Sequence, residues 1–176
     1  MINVPQTKKT WDPDWRSLID GLGSILGHDE YWMQRLVTVI DESVSLHLAV
    51  FVEPYLGYLL DGRKTVESRF SLRRSPPYGR VDHGDLVLLK RTGGPILGLC
   101  EIAETWNYQL DSPSWSVIRA EFTEALCAQD PAFWQARQSA SFATLMRVAA
   151  VRALPPIHLP KRDRRGWVVL NPRSLS

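Results

Sequence analysis

The chain predicts an α+β fold, a strand-rich sheet or barrel that carries helices at its N terminus and in one insertion. Three observations predict it. Apolar residues recur at helical spacing up to about residue 43, the period changes to two at Ser45, and turn signals then separate a series of short strands with one helical stretch between them. At 176 residues there is room for one good core. The expected organisation is a helical appendage, residues 1–45, followed by one domain, residues 46–176.

Residues 1–10 carry no periodic pattern. Trp11 to Leu26 and Asp29 to Ser43 read as helices; Asp29 can cap the second, and Trp32, Leu36, Val39 and Ile40 form its apolar stripe. Trp11 and Trp15, at i and i+4, suit packing of a helix. From Ser45 the alternation of Leu46, Leu48, Val50 and Val52 with His47, Ala49 and Phe51 predicts a strand ending at Glu53-Pro54. A short helix, Pro54 to Asp61, leads to Gly62, placed as a helix C-cap would require. A strand over Lys64 to Phe70 follows, then an Arg- and Pro-rich loop, Leu72 to Arg80.

Asp82-His83-Gly84-Asp85 is a turn signal before a strand over Leu86 to Lys90, and Gly93-Gly94 closes a hairpin onto Ile96 to Glu104. Ser112 or Ser114 can begin a helix running to Leu126, and Asp130-Pro131 starts a short one through Arg137. Phe142 to Ala153 reads as a long buried strand. After Pro155-Pro156 a basic loop, Lys161 to Arg165, leads into the last strand, Gly166 to Leu170. Trp115 and Trp134 fall within helical patterns and are assigned to the core.

Bulk properties narrow the function classes. Hydrophobic content of 44% and charged content of 23% are ordinary for a globular domain. No apolar run is long enough to span a bilayer and the polar start lacks the apolar centre of a signal peptide, so a soluble cytoplasmic protein with no membrane partner is expected. Cys100 and Cys127 read as buried small hydrophobes, and His28, His47, His83 and His158 stand singly, so neither a metal nor a cofactor is expected. There is no Ser-His-Asp order, phosphate loop or dinucleotide fingerprint. Residues 1–45 hold four Lys or Arg against seven Asp or Glu, a net −3, whereas residues 46–176 hold 17 against 12, a net +5. An acidic front and a basic body suit a domain that meets polyanions.

The densest polar signal is Gly62-Arg63-Lys64-Thr65-Val66-Glu67-Ser68-Arg69. Alternation puts Glu67 and Arg69 on one strand face and Lys64 on the other, so Arg69 is the expected partner of Glu67. One reading is a functional site presented from a rigid element; the other is a solvated edge strand whose charges discourage aggregation. Lysine is the rarer cation here, five against 16 arginines, and the compact ammonium of Lys64 suits a phosphate or a developing oxyanion.

The order strand, short helix, Gly-x-Lys-x-x-Glu-x-Arg, loop, Gly-Asp turn and hairpin resembles the ASCH family. The matching residues are Tyr55, Leu59, Gly62, Lys64, Glu67, Arg69, Gly84, Asp85 and Gly98, covering about residues 46–110, and the closing strand at Arg165 to Leu170 is compatible. The resemblance implies a PUA-like mixed β-barrel with a cleft beside its first helix for RNA or a modified nucleobase. One branch of the family hydrolyses acylated cytidines with a Lys and a Thr nucleophile; this chain has Glu67 where that threonine would stand. Another branch is similar to a single-strand ribonuclease whose Tyr and Lys are spaced as Tyr58 and Lys64 are.

The leading expectation is therefore a module that binds single-stranded RNA, a nucleotide or a modified base. Lys64, Glu67 and Arg69 form its centre; Arg73 and Arg74, with Arg162, Arg164 and Arg165, are candidate phosphate contacts or simply solvated loop charges. Trp106 and Tyr108, placed just after a strand, can stack on unpaired bases or plug the end of the barrel. The alternative is an RNA hydrolase in which Tyr58, Lys64 and Glu67 supply acid, cation and base. A third reading has residues 1–45 docking a protein partner.

Overall fold

The computed structural model describes residues 13–174. Two N-terminal helices, α1 (Trp15–Leu26) and α2 (Glu30–Ile40), precede β1 (Leu46–Phe51), α3 (Tyr55–Leu60), β2 (Val66–Ser71) and β3 (Leu86–Arg91). Then come β4 (Ile96–Gln109), α4 (Ser112–Phe122), α5 (Pro131–Gln135), β5 (Phe142–Ile157) and β6 (Trp167–Asn171). The expected untethered residues 1–10 and Trp11 lie outside the described residues. All six strands join one curled sheet in the order β2-β5-β4-β3-β1-β6. The result is the α+β, PUA-like half-barrel with helical additions that the resemblance implies.

Local chemistry starts and stops the elements. Asp14 and Asp29 cap α1 and α2, each accepting backbone N–H bonds in the first turn. Asp111, rather than Ser112 or Ser114, caps α4 in a reciprocal box with Ser114, and Asp130 caps α5 ahead of Pro131. Gly62 follows α3 at φ +81°, a left-handed turn that only glycine makes without strain.

Three apolar clusters fill the two faces of the sheet. Ile19, Leu22, Leu26, Trp32, Leu36 and Val39 of α1 and α2 pack on Leu46, Leu48, Leu86, Leu88 and Leu99, so the N-terminal helices cover one face of β1, β3 and β4. The opposite face, inside the curl, holds Ala49, Phe51, Val87, Leu89, Ile102 and Trp167 under Leu56 and Leu59 of α3. The helical insertion adds the third cluster, where Ile118, Phe122, Phe133 and Trp134 pack on Val66, Ala143 and Leu145. Trp134 thus lies in the core, and Trp115 packs against it edge to face at 6.3 Å.

Four expectations are corrected. The strand expected from Lys64 begins at Val66, because Thr65 N–H and Val66 N–H both donate to the carbonyl of Ala125 and hold the preceding residues in a turn. Strand β4 runs on to Gln109, so Trp106 and Tyr108 lie within it and not after it. Strand β5 continues through Pro155 and Pro156 to Ile157. Those prolines are tolerated because β2 pairs with β5 only over 142–147, which leaves the later part of β5 an edge that needs no donor on that side. Of the two cysteines, Cys100 is buried as expected and Cys127 is only half-buried.

Candidate functional site

The sheet is open between its edge strands β2 and β6, and the polar motif lies in that opening. The α3–β2 connection and β2 supply Lys64, Glu67, Ser68 and Arg69; β1 supplies Val50 and Phe51; α3 begins with Tyr55; and α5 with the turn after it supplies Phe133 and Arg137. Together they line a cleft of about 160 Å³. That is close to the ~150 Å³ of a cavity that holds one benzene ring, so the space suits a single six-membered ring.

Glu67 is the hub of the cleft. Its carboxylate meets Lys64 Nζ at 3.3 Å through Oε2 and Arg69 Nε at 2.9 Å through Oε1. The Arg69 contact follows the strand alternation. The Lys64 contact corrects it: Lys64 precedes the strand, so the two-residue period does not reach it, and its side chain comes round to the face of Glu67. Lys64 Nζ also donates to the carbonyls of Val66 at 2.7 Å and Leu126 at 3.3 Å. Its three protons are thereby accounted for.

Burial sets the electrostatics. Lys64 is 2% and Glu67 7% exposed. Burial holds the Lys64 ammonium below the ordinary lysine range, and the neighbouring Glu67 partly offsets that effect. Burial likewise lowers the Arg137 guanidinium, against opposing contributions from Tyr55 and Glu67. Arg137 lies 3.7 Å from the Phe133 ring centroid and donates to the Phe133 carbonyl at 2.7 Å. Tyr55 meets Phe133 edge to face at 5.8 Å. The cleft therefore has aromatic walls, one carboxylate with unused lone pairs, and three cations: an environment for a flat polar ring carrying N–H donors and an attached anion.

Arg69 carries the cleft across to a second cavity. Its Nη1 donates to the carbonyls of Val50 at 3.0 Å and Gly166 at 3.3 Å, and its guanidinium lies over Phe51 and Trp167. It also lines a cavity of about 200 Å³ with Phe70, Pro76, Pro77, Tyr78 and Trp167. Val50, in turn, lines a larger pocket of about 750 Å³ that includes Arg164 and Arg165.

The other candidate residues are dispersed. Tyr58 does not line the cleft; Arg63 covers its ring at 4.2 Å, and the tyrosine beside Lys64 is Tyr55. Arg73 and Arg74 are exposed on the loop before Ser75, and Arg74 lies 5.4 Å from the Phe142 ring. Arg162 is exposed and lines none of these three cavities. Trp106 packs against Phe122 at 4.9 Å under Arg147, and Tyr108 packs on the same helical insertion. Sequence reasoning missed Tyr55 as a lining residue, together with Phe133 and Arg137. The last two stand nearly 70 residues beyond the motif, in a helix that gives no local sign of facing it.

A second polar group is buried behind the cleft. Asp85 accepts from Ser45 N–H at 2.8 Å, Asp82 N–H at 2.9 Å, Arg173 Nη2 at 2.6 Å and His47 Nε2 at 3.0 Å. The Trp167 indole N–H donates to His47 Nδ1 at 3.1 Å, which fixes the proton of a neutral His47 on Nε2. This network joins β1, the Gly84-Asp85 turn, β6 and the chain after it.

The fold matches known structures. ASCH from Zymomonas mobilis aligns with a TM-score of 0.59 at 12% identity, covering 72% of this chain and 88% of that one. An alanine-for-serine variant and a phenylalanine-for-tyrosine variant of the same protein align equally, covering 89% and 91% of their chains. At that identity the likeness shows a shared ASCH-like fold. No protein-family model matches the sequence, and no curated protein matches it. Among the described residues no helix is long and apolar enough to cross a membrane.

Proposed function

We propose that this ASCH-type module binds single-stranded RNA or a nucleotide by taking one pyrimidine-sized base, plain or modified, into the Glu67 cleft. The observation that carries the reading is the position of Glu67, held between Lys64 and Arg69 at the foot of a ring-sized cleft walled by Tyr55 and Phe133. A carboxylate fixed there accepts from the N–H groups of a base edge. Lys64 and Arg69 hold the carboxylate from two sides and fix where its oxygens face. Tyr55 and Phe133 supply ring contacts, and Arg137 supplies charge for the attached phosphate.

The hydrolase alternative has less support. Its acid, cation and base were to be Tyr58, Lys64 and Glu67, and Tyr58 stands outside the cleft with its ring under Arg63. A protein partner for the N-terminal helices has one observation in its favour, the exposure of Tyr31, Val37 and Ile40 on α2.

The test is retention of end-labelled single-stranded RNA at low salt, read by fluorescence anisotropy and by gel for intactness. The wild type should bind and leave the RNA whole, and Glu67→Gln and Arg137→Ala should each weaken binding about tenfold, or ~1.4 kcal/mol. A wild type that retains neither RNA nor nucleotides sinks the proposal. Cleaved RNA would return the hydrolase reading to the front.

A further inference from the structure

The largest cavity of the three around the opening is not the Glu67 cleft. It is the pocket of about 750 Å³ between the β3–β4 hairpin and the segment 158–166. Lys90 reaches it from β3. By alternation Leu86, Leu88 and Lys90 share a sheet face; the two leucines enter the core under α1 and α2, and Lys90 ends the row at the pocket wall. It is 6% exposed. Its Nζ donates to the carbonyl of Gly94, and among the described residues no carboxylate pairs with it.

A lysine drawn into the wall, with no carboxylate beside it among the described residues, gives up part of its solvation. Its surroundings add to the cost. Burial and then the nearby Lys161 ammonium both hold Lys90 below the ordinary lysine range. The same pocket is lined by His158, Arg164 and Arg165, and the one carboxylate among its described lining residues, Asp163, already pairs with Lys161 and Arg165. Among the described lining residues Lys90 and Arg164 have no carboxylate partner, in a volume within the ~300–1,000 Å³ usual for small-ligand sites. Edge-strand solubility does not account for a cation placed inside.

We infer that this pocket is a phosphate site, in which Lys90 and Arg164 hold the terminal phosphoryl group of a nucleotide or of an oligonucleotide end. A compact ammonium at the wall gives a point charge to a phosphate oxygen, and an exposed guanidinium at the rim can bind two oxygens at once. Val50 lines both this pocket and the Glu67 cleft, so the two are neighbours across one residue of β1. The identity of the phosphate carrier rests on the nucleotide reading above; binding of the phosphoryl group itself does not.

Isothermal titration with inorganic pyrophosphate tests the site alone. The wild type should bind, Lys90→Met and Arg164→Gln should each weaken binding at least fivefold, and Arg16→Gln, on α1 and outside the pocket, should not. Circular dichroism and a thermal melt check that Lys90→Met stays folded, and Arg164→Gln, at an exposed position, carries the test if it does not. No pyrophosphate binding by the wild type, or binding indifferent to both substitutions, overturns the inference. A second titration compares 5′-phosphorylated with 5′-hydroxyl oligoribonucleotides. A preference for the phosphorylated end that Lys90→Met or Arg164→Gln removes and Arg16→Gln keeps assigns the carrier. Pyrophosphate binding without that preference keeps the phosphate site and removes the nucleotide as its carrier.

Discussion

Arg69 on β2 donates to the carbonyl of Gly166, just before β6, so one side chain spans the gap between the two edges of the sheet. The curl is open in its backbone ladder and closed here by a guanidinium, which also donates to Val50 and pairs with Glu67. A residue that looks like a ligand contact therefore has a structural role as well. Function and closure are coupled at this position.

That coupling predicts a graded effect of substitution. Arg69→Ala leaves the Val50 and Gly166 carbonyls without this donor and Glu67 with a single cation, and should cost about 2–3 kcal/mol in a urea melt. Arg69→Lys restores charge but not the fork, and should recover less than half of it. A loss below about 0.5 kcal/mol for Arg69→Ala would show that the bridge does not hold the edges together.

Asp85 should be more sensitive than any residue of the cleft. It is fully buried and accepts four hydrogen bonds from three segments, the start of β1, the turn at Asp82 and the chain after β6. Asp85→Ala strands those donors, Arg173 among them, and should cost roughly 3–5 kcal/mol or prevent folding. Asp85→Asn keeps the shape and should lose less. The denaturant midpoints of the two variants check this, and equal midpoints would contradict it.

The close approach of α3 to the sheet depends on Gly98. A Cβ added there would lie 2.6 Å from Leu60 Cδ2, 3.1 Å from Leu89 Cδ1 and 3.2 Å from the Arg152 carbonyl. Leu60 can rotate away, but the backbone carbonyl cannot. Gly98→Ala should therefore destabilise by about 1–3 kcal/mol through overpacking. It should also weaken RNA binding, because the displaced helix carries Tyr55. Unchanged stability would mean that α3 has slack.

How much of this was legible depends on range. The helix caps Asp29 and Asp130, the turn at Gly62 and the Glu67–Arg69 face are set by residues a few positions apart, and sequence period and capping chemistry suffice for them. The Lys64–Glu67 pair was misread because it depends on where β2 starts, and that is fixed by the Ala125 carbonyl, some 60 residues on. Phe133 and Arg137 enter the cleft by the same insertion. His47 stood alone in the sequence because its partners, Asp85 and Trp167, are brought to it by strand pairing across the sheet. Lys90 was read only as the end of a strand, and it takes the fold to show that the row of Leu86 and Leu88 ends there in a cavity.

The segment leading into β6 should respond to acid through Asp163. Burial raises its carboxyl, but hydrogen bonds from Arg165 and Lys161 outweigh that and bring it from 3.8 to about 2. Between those two values the unfolded chain binds the proton more readily than the folded one, so stability rises with pH across the window. The contribution is complete above about pH 4 and lost as pH falls through about 2. Because Asp163 anchors Lys161 and Arg165 at the pocket wall, its protonation should free that segment before the sheet gives way. Amide exchange at 161–166 should quicken between pH 4 and 2 in the wild type and be fast throughout in Asp163→Asn. A carboxyl resonance of Asp163 titrating near 3.8, the ordinary value, would contradict the anchoring role.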